Sequence, residues 1–333
     1  MGAKDILTAL KWLRDNISLF NGDPNRVTII GSGTAATSVA SMLVSVAAVD
    51  LITRAIVIDG SALSPADYSQ NNFKICAKLY KKLKGRYDNF NRKELYNILR
   101  NLTTAQLLEC RSLYDSSEVR DTQRLINTFS CGIEKSPKLP FMNKSPLEMY
   151  DRKLVNKNVD VIFGYTTLTH LYKLKGIDAN RKLLKYLNYN FQYLLPFEGK
   201  SDEYNSERYK KIKQEILNFY FLNGTIGERS LRRYAKYVSD QVIYPLLRQV
   251  QLHSAYSDSN VYMYRLPFKG SLNIGWRSSV PNIEWSGATL GDEICYLFKC
   301  KFETDGYKSP KASNERLFIK KIVRLFANFA KHG

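Results

Sequence analysis

Residues 27–39 have the pattern of a strand, a tight turn and a helix that together could present a nucleophile. The sequence VTIIGSGTAATSV places small residues, Gly31 and Ala35, on either side of a central Gly33. In acyl-transfer enzymes with such a turn the pattern is G-x-S-x-G, and the central serine attacks the substrate. Glycine has no side chain that could attack. The segment 31–35, here called the elbow, therefore has the outline of a nucleophile site without the nucleophile.

Six further segments follow in order along the chain: FNGDPNRVTIIG (20–31), DGSALSP (59–65), SPLE (145–148), VDVIFGY (159–165), GATLGDEICYLF (287–298) and FANFAKHG (326–333). Together they resemble the type-B carboxylesterase and cholinesterase family, especially its insect members. This resemblance extends over nearly the whole chain. It implies an α/β-hydrolase fold, with a mostly parallel central sheet flanked by helices, in a single domain over residues 1–333. It also implies a helical cap region over 72–143.

The resemblance implies the positions of a catalytic triad as well. The nucleophile falls on Gly33, the acid on Thr169 and the histidine on Leu290. None of these residues can attack, orient an imidazole or transfer a proton. The backbone N–H of Thr34 would be the remnant of the oxyanion hole. Because loss of a triad lowers turnover by about a million-fold, the chain is predicted to be a catalytically inactive relative of carboxylic ester hydrolases.

Two other uses of the elbow segment stay open at this point. Ser32 and His170 could form a relocated nucleophile and base, although His170 adjoins the acid position rather than the histidine position. The residues 31–36 also satisfy G-x-G-x-x-A, a dinucleotide fingerprint, with Asp50 or Asp59 as its acidic residue. A single glycine fingerprint among esterase motifs is a weak signal, so neither a cofactor nor a metal is expected.

The remaining histidines and the cysteines suggest no further chemistry. His253 follows a predicted helix and His332 ends the last one, so both are expected to be ordinary surface or loop residues. The five cysteines include no C-x-x-C pair, which gives zinc binding no support. Their odd number leaves at least one without a partner inside the chain.

A formal net charge of +19 is the main feature of the composition. Basic residues cluster at 78–86, 210–213 and 229–236, each on a predicted helix with an apolar stripe. Solvated helix faces are the simplest interpretation. The alternative is an anionic partner such as a sulfated glycan, an acidic lipid or an acidic protein. Nucleic acid is disfavoured because no nucleic-acid motif is present.

Hydrophobic periodicity predicts the elements that would position the site. Strands are predicted at 27–30, 55–58, 159–163 and 261–265, and helices at 6–17, 207–221, 229–247 and 314–332. The apolar run 37–49 is expected to form a buried helix after the elbow, and it is too short to span a membrane. Relatives in the family have strands before the segment at residue 5. The chain is therefore expected to lack the N-terminal strands and the oxyanion loop, as a fragment, a partial gene model or a degenerate truncated paralogue.

The predicted function is that of an inactive esterase homologue that binds a partner. The alternatives are a hydrophobic-ligand binder that retains the old gorge, a weak or rerouted hydrolase, and a decaying gene copy. The resemblance implies an extracellular protein, although residues 1–5 do not read as a signal peptide.

Overall fold

The computed structural model describes residues 2–64, 72–84, 91–109, 131–134, 138–175, 177, 181–195, 206–273, 280, 284–301, 306–308, 310 and 313–333. The strands are β1 (Thr28–Ser32), β2 (Arg54–Ile58), β3 (Asp160–Thr166) and β4 (Val261–Leu266). The helices are α1 (Gly2–Asn16), α2 (Thr34–Met42), α3 (Asn72–Lys84), α4 (Arg92–Asn101), α5 (Thr104–Glu109), α6 (Pro146–Asp151), α7 (Arg181–Tyr189), α8 (Glu207–Tyr220), α9 (Leu231–Tyr256), α10 (Ile294–Leu297) and α11 (Asn314–His332).

The four strands form one parallel sheet in the order β1-β2-β3-β4. Alternate side chains of β2 enter different cores, with Ala55 and Val57 on one face and Ile56 and Ile58 on the other. A strand that is buried on both faces reads as a continuous apolar run, which is the pattern of β2 and β3. This sheet confirms the predicted α/β class.

Helices cover both faces of the sheet and also build a third core beside it. On one face, α1, α2, α6 and α9 pack over β2 and β3. On the other face, α11 packs through Ile322, Phe326 and Phe329, with the segment around Tyr296 beside it. A separate aromatic-rich core joins α7, α8 and the first half of α9. The long helix α9 therefore links the sheet to this second helical region.

Helix α1 begins at Gly2, four residues before its predicted start, and two further helices depart more strongly from their predicted bounds. The helix expected over 37–49 begins earlier and ends at Met42, and the rest of the run is buried in turns and a short 3-10 segment. An apolar run shows burial without showing that the helix continues. The second error concerns α9, which extends past Leu247 to Tyr256. His253 consequently lies inside the helix and is fully buried, not at the surface as expected. His332 is exposed, as expected.

The predicted cap region contains three of the described helices. Helices α3 and α4 share a small core of Leu79, Tyr80 and Leu95, and α5 follows them. Cap function for this region stays a prediction. Lys78 and Arg86, two members of the first basic cluster, lie outside the described side chains. No helix among the described residues combines the length and the apolar character that a membrane span requires.

Candidate functional site

The elbow is a sharp strand-to-helix turn with Gly33 at its tip. Strand β1 ends at Ser32 and α2 begins at Thr34, while Gly33 has φ +63° and ψ −127°. Side chains are disfavoured at such a positive φ. The flanking residues are small because the turn is tight, and a Cβ on Gly31 would lie 2.6 Å from the carbonyl oxygen of Ala35. The geometry is that of a nucleophile elbow, as the sequence predicts.

The leucine at the implied histidine position lies directly opposite this tip. A Cβ on Gly33 would lie 3.2 Å from Cδ1 of Leu290, and its three nearest neighbours would all be atoms of that side chain. The fold therefore brings together the implied nucleophile and histidine positions. What meets there is a bare backbone and an isobutyl group, which cannot exchange a proton.

The implied acid position lies in the turn after β3, and this turn is tied to the loop that carries Leu290. Leu168 N–H donates to the carbonyl oxygen of Ala288 at 2.8 Å, and Ala288 N–H donates to Thr167 Oγ1 at 3.1 Å. Thr169 itself is fully buried. Its hydroxyl makes no well-formed hydrogen bond, and it contributes least among the groups that lower the pKa of Asp59. The turn that carries the implied acid position therefore lies against the loop that carries Leu290.

The oxyanion remnant, Thr34, is the exposed first residue of α2. Backbone N–H groups in the first turn of a helix have no partner four residues earlier within the helix. The N–H of Thr34 is therefore free of the helix ladder, as an oxyanion donor must be. A single such donor does not supply a nucleophile.

A cluster of buried acids beneath the elbow was missed as a site. Ser32 Oγ donates to Glu293 Oε1 at 2.8 Å. Asp59 accepts hydrogen bonds from Thr166, through the backbone N–H at 2.8 Å and the hydroxyl at 2.7 Å. Burial, and next the charge of Glu293, raise the pKa of Asp59 to about 8. Burial likewise raises the pKa of Glu293. The sequence signal that could have revealed this cluster is Asp59, an aspartate at the carboxyl end of a predicted strand.

These contacts also bear on the two open alternatives. The Ser32 hydroxyl is committed to Glu293, and the buried His170 Nδ1 has no hydrogen-bond partner. Burial lowers the pKa of His170 to about 3, which keeps its ring neutral. No hydrogen bond among the described residues joins the two. Asp59 is enclosed and bonded to Thr166, so its carboxylate cannot accept from a ribose hydroxyl.

A large cavity lies near the elbow, but its lining does not include the three implied triad positions. It has a volume of about 1230 Å³ and lies between α8, α9, the loop after β2 and the carboxyl end of β3. Gly33, Thr169 and Leu290 are all outside the lining, which comes closest to them along the chain at Leu168 and Ser286. A hydrophobic-ligand binder that retained the old gorge would need a cavity that reaches Gly33 and Leu290. This cavity is lined by neither residue.

Comparison with known proteins accounts for this arrangement. The family model described as the carboxylesterase family matches residues 1–333. The chain belongs to the carboxylesterase family. Esterase E4 of Myzus persicae is 27% identical over 345 residues, a match that covers 100% of this chain and 58% of that protein. Juvenile hormone esterase of Tribolium castaneum is 24% identical over 348 residues, covering 100% of this chain and 57% of that protein.

A solved structure shows that this carboxylesterase-family chain has the α/β-hydrolase fold. The crystal structure of juvenile hormone esterase from Manduca sexta, with OTFP covalently attached, superposes with a TM-score of 0.79 at 18% identity. The superposition covers 99% of this chain and 60% of that one. The chain therefore spans about three fifths of its relatives' length.

Proposed function

We propose that this carboxylesterase-family chain binds its target without hydrolysing it. The single observation that carries the proposal is the contact between the tip of the elbow and Leu290. Ester hydrolysis by this family's route needs a nucleophile at the tip and a base opposite it. Glycine and leucine supply neither. The activity that would remain without them is lower by about a million-fold.

The neighbouring polar groups do not replace the missing ones. Ser32 lies beside the tip, but an elbow presents only its central residue to the substrate, and the Ser32 hydroxyl instead donates to the fully buried Glu293, whose pKa is raised by burial. The acids beneath the elbow are buried, and Asp59 has a pKa of about 8, so it holds its proton at neutral pH. A general base must be ionised and within reach of the hydroxyl it activates. Asp59 does not meet this requirement.

A second candidate, the binding of a hydrophobic small molecule, is favoured by the cavity beside α8 and α9. Its volume of about 1230 Å³ exceeds the usual range for small-molecule sites, about 300–1,000 Å³. Protein partners remain the first candidate for the binding function, with the basic faces of α8 and α9 as the first surfaces to mutate.

An extracellular location is part of this proposal. The Cys295–Cys300 disulfide supports it, since disulfides persist in oxidising compartments.

The proposal is tested by turnover of a short-chain nitrophenyl ester and by labelling with a fluorophosphonate probe, with an active carboxylesterase as the positive control. We expect no turnover above the buffer rate and no label on the natural chain. A matched variant, Gly33→Ser with Thr169→Glu and Leu290→His, restores the implied triad in the same scaffold. If only that variant is labelled, at the serine introduced at position 33, the residues at these three positions explain why the natural chain does not react. Turnover and labelling of the natural chain would overturn the proposal, and the labelled residue would identify the nucleophile.

A further inference from the structure

We propose that the cavity between α8 and α9 takes an amphipathic carboxylate, a molecule with an extended apolar body and one carboxylate head. This inference deepens the second candidate above, the binding of a hydrophobic small molecule, and rests on it by naming the class of ligand. It is carried by the volume of the cavity, its mostly apolar lining and the excess of positive charge among the lining residues.

The walls of the cavity are mostly apolar. Leu168 lines it from the turn after β3, Ile216 from α8, and Tyr237 and Leu247 from α9. Phe219, also in the lining, is 75% exposed. Burying such surface is favourable in proportion to its area. The lining therefore suits an apolar ligand body.

The charged residues of the lining are three cations and one anion. Asp240 is the only acid in the lining, and its Oδ2 accepts from Lys236 Nζ at 2.7 Å and from the Tyr220 hydroxyl at 2.8 Å. Lys236 and Asp240 thus compensate each other. Arg248 of α9 and Arg265 of β4 are left, and no carboxylate among the described residues pairs with either. The lining has a net charge of +2.

The two arginines of the lining suit an anionic head group. Both are exposed, so a head group that met them would stay close to water while its apolar body entered the cavity. The planar guanidinium group matches a carboxylate with two parallel hydrogen bonds. A cationic head would be repelled by this lining, and a neutral head would lack the ion pair and the two matched acceptor oxygens. A carboxylate therefore fits better than either.

The cavity can be tested independently of the elbow, because none of the implied triad positions lines it. We would measure the binding of radiolabelled dodecanoate to the full chain by equilibrium dialysis. Dodecanol is the uncharged match, and it contains no ester that a hydrolase could cleave. Dodecyl phosphate tests the other common anionic head. Thermal unfolding of every variant verifies that it is folded.

The variants are Arg248→Gln, Arg265→Gln and the pair together. Arg233→Gln is the control, since it removes the same charge from an exposed position of α9 outside the lining. Gln241→Trp fills the cavity from α9 at a half-buried polar position. We expect dodecanoate to bind about tenfold more tightly than dodecanol, and each arginine substitution to weaken dodecanoate roughly three- to tenfold. Dodecanol binding should be unchanged by the arginine substitutions, and Gln241→Trp should weaken both ligands.

Several results would overturn the inference. Equal binding of dodecanoate and dodecanol would remove the role of charge, as would arginine variants that behave like Arg233→Gln. Binding that Gln241→Trp leaves intact would lie elsewhere on the protein. Tighter binding of dodecyl phosphate would replace the carboxylate with a phosphate head, and absence of any binding would reject the site. None of these results depends on the fluorophosphonate label, whose appearance would instead overturn the proposal of non-hydrolysis.

Discussion

Asp59 occupies surroundings that are unfavourable to an ionised carboxylate. It is 4% exposed, and burial together with the nearby Glu293 raises its pKa to about 8. Its two hydrogen bonds with Thr166 satisfy the side chain without supplying a positive charge. The backbone at Asp59 is also left-handed, with φ +55°. Asp59, directly below the elbow, therefore lowers the free energy of unfolding by an amount that depends on pH.

Replacing Asp59 by Asn should stabilise the protein at pH 7. Asparagine can accept from the Thr166 N–H and donate to its hydroxyl oxygen, it needs no ionisation, and it tolerates a left-handed backbone. We expect the free energy of unfolding to rise by roughly 2–4 kcal/mol, measured by denaturant titration. Asp50→Asn is the matched control, since Asp50 is exposed and also has a positive φ, +59°. The control should change stability little.

The unfavourable burial of Asp59 should also determine how the free energy of unfolding changes with pH. Below about pH 4 the carboxyl group is protonated in both the unfolded and the folded states. Between there and about pH 8, the unfolded chain loses this proton while folded Asp59 keeps it. Its contribution to the free energy of unfolding therefore falls as the pH rises through this window and is constant above it. Asp59→Asn should flatten that slope, and a slope equal to that of the unsubstituted chain would contradict the assignment.

The turn at Gly33 and its proximity to Leu290 were easier to predict than the contacts beneath them. Local sequence placed Gly33 at a turn between a strand and a helix, and the family resemblance placed Leu290 opposite it. The pairing of Ser32 with Glu293 joins positions 261 residues apart in the sequence, and no local pattern encodes it. His253 was misplaced for the same reason, because its burial depends on Tyr150 and Phe163, distant residues whose side chains pack against its ring.

At the scale of elements, Gln249 of α9 holds three parts of the fold together. Its Oε1 accepts from Ser61 Oγ at 2.7 Å and from Ala62 N–H at 2.8 Å in the loop after β2. Its Nε2 donates to the Ala40 carbonyl oxygen of α2 at 3.2 Å and to the Tyr150 hydroxyl of α6 at 3.0 Å. The side chain is fully buried and makes four hydrogen bonds. It therefore fixes α9 against the layer that supports the elbow.

Gln249→Leu should consequently be strongly destabilising. Leucine fills a similar volume but leaves the Ala62 N–H and other buried partners without their hydrogen bonds, each at a cost of about 1–3 kcal/mol. We expect a loss of about 3 kcal/mol or more in the free energy of unfolding. Gln241→Leu is the control on the same helix, because Gln241 is half-buried and donates only to the Tyr237 carbonyl oxygen of its own helix. Similar losses in the two variants would show that the network contributes little.

The elements themselves were predictable where a pattern ended in a clear stop. Helix α11 matches its predicted bounds, since Ser313 caps its start and Gly333 ends it. Strand β4 was also found, within one residue, from its alternation. The C-terminal ends of α2 and α9 were not predicted correctly. Apolar residues continue beyond the end of α2 although the helix stops, whereas α9 continues through polar residues beyond its predicted end. In both cases tertiary packing decides where the helix ends, and local periodicity carries no information about that packing.

For the whole molecule, the formal charge of +19 dominates the electrostatics. The basic cluster at 229–236 is an exposed helix face above an apolar core, as predicted. The described salt bridges lie mostly at the surface, for example Lys210 with Glu207 and Arg181 with Glu228. Such pairs contribute about 0–1 kcal/mol each. Repulsion among the excess cations is therefore the larger long-range effect, and it opposes the compact state.

Added salt should then stabilise the protein. Raising sodium chloride from about 0.01 to about 0.1 M shortens the screening length from about 30 to about 10 Å. This screens repulsion between distant lysines and arginines more than it weakens pairs in contact, so the temperature of unfolding should rise. Potassium chloride should give the same rise, which separates screening from binding of a particular ion. Sulfate would add its own exclusion from the surface and is therefore avoided. A fall in the unfolding temperature with either chloride would mean that attractive pairs outweigh the net charge, and the basic faces would then be integral to the fold instead of available to a partner.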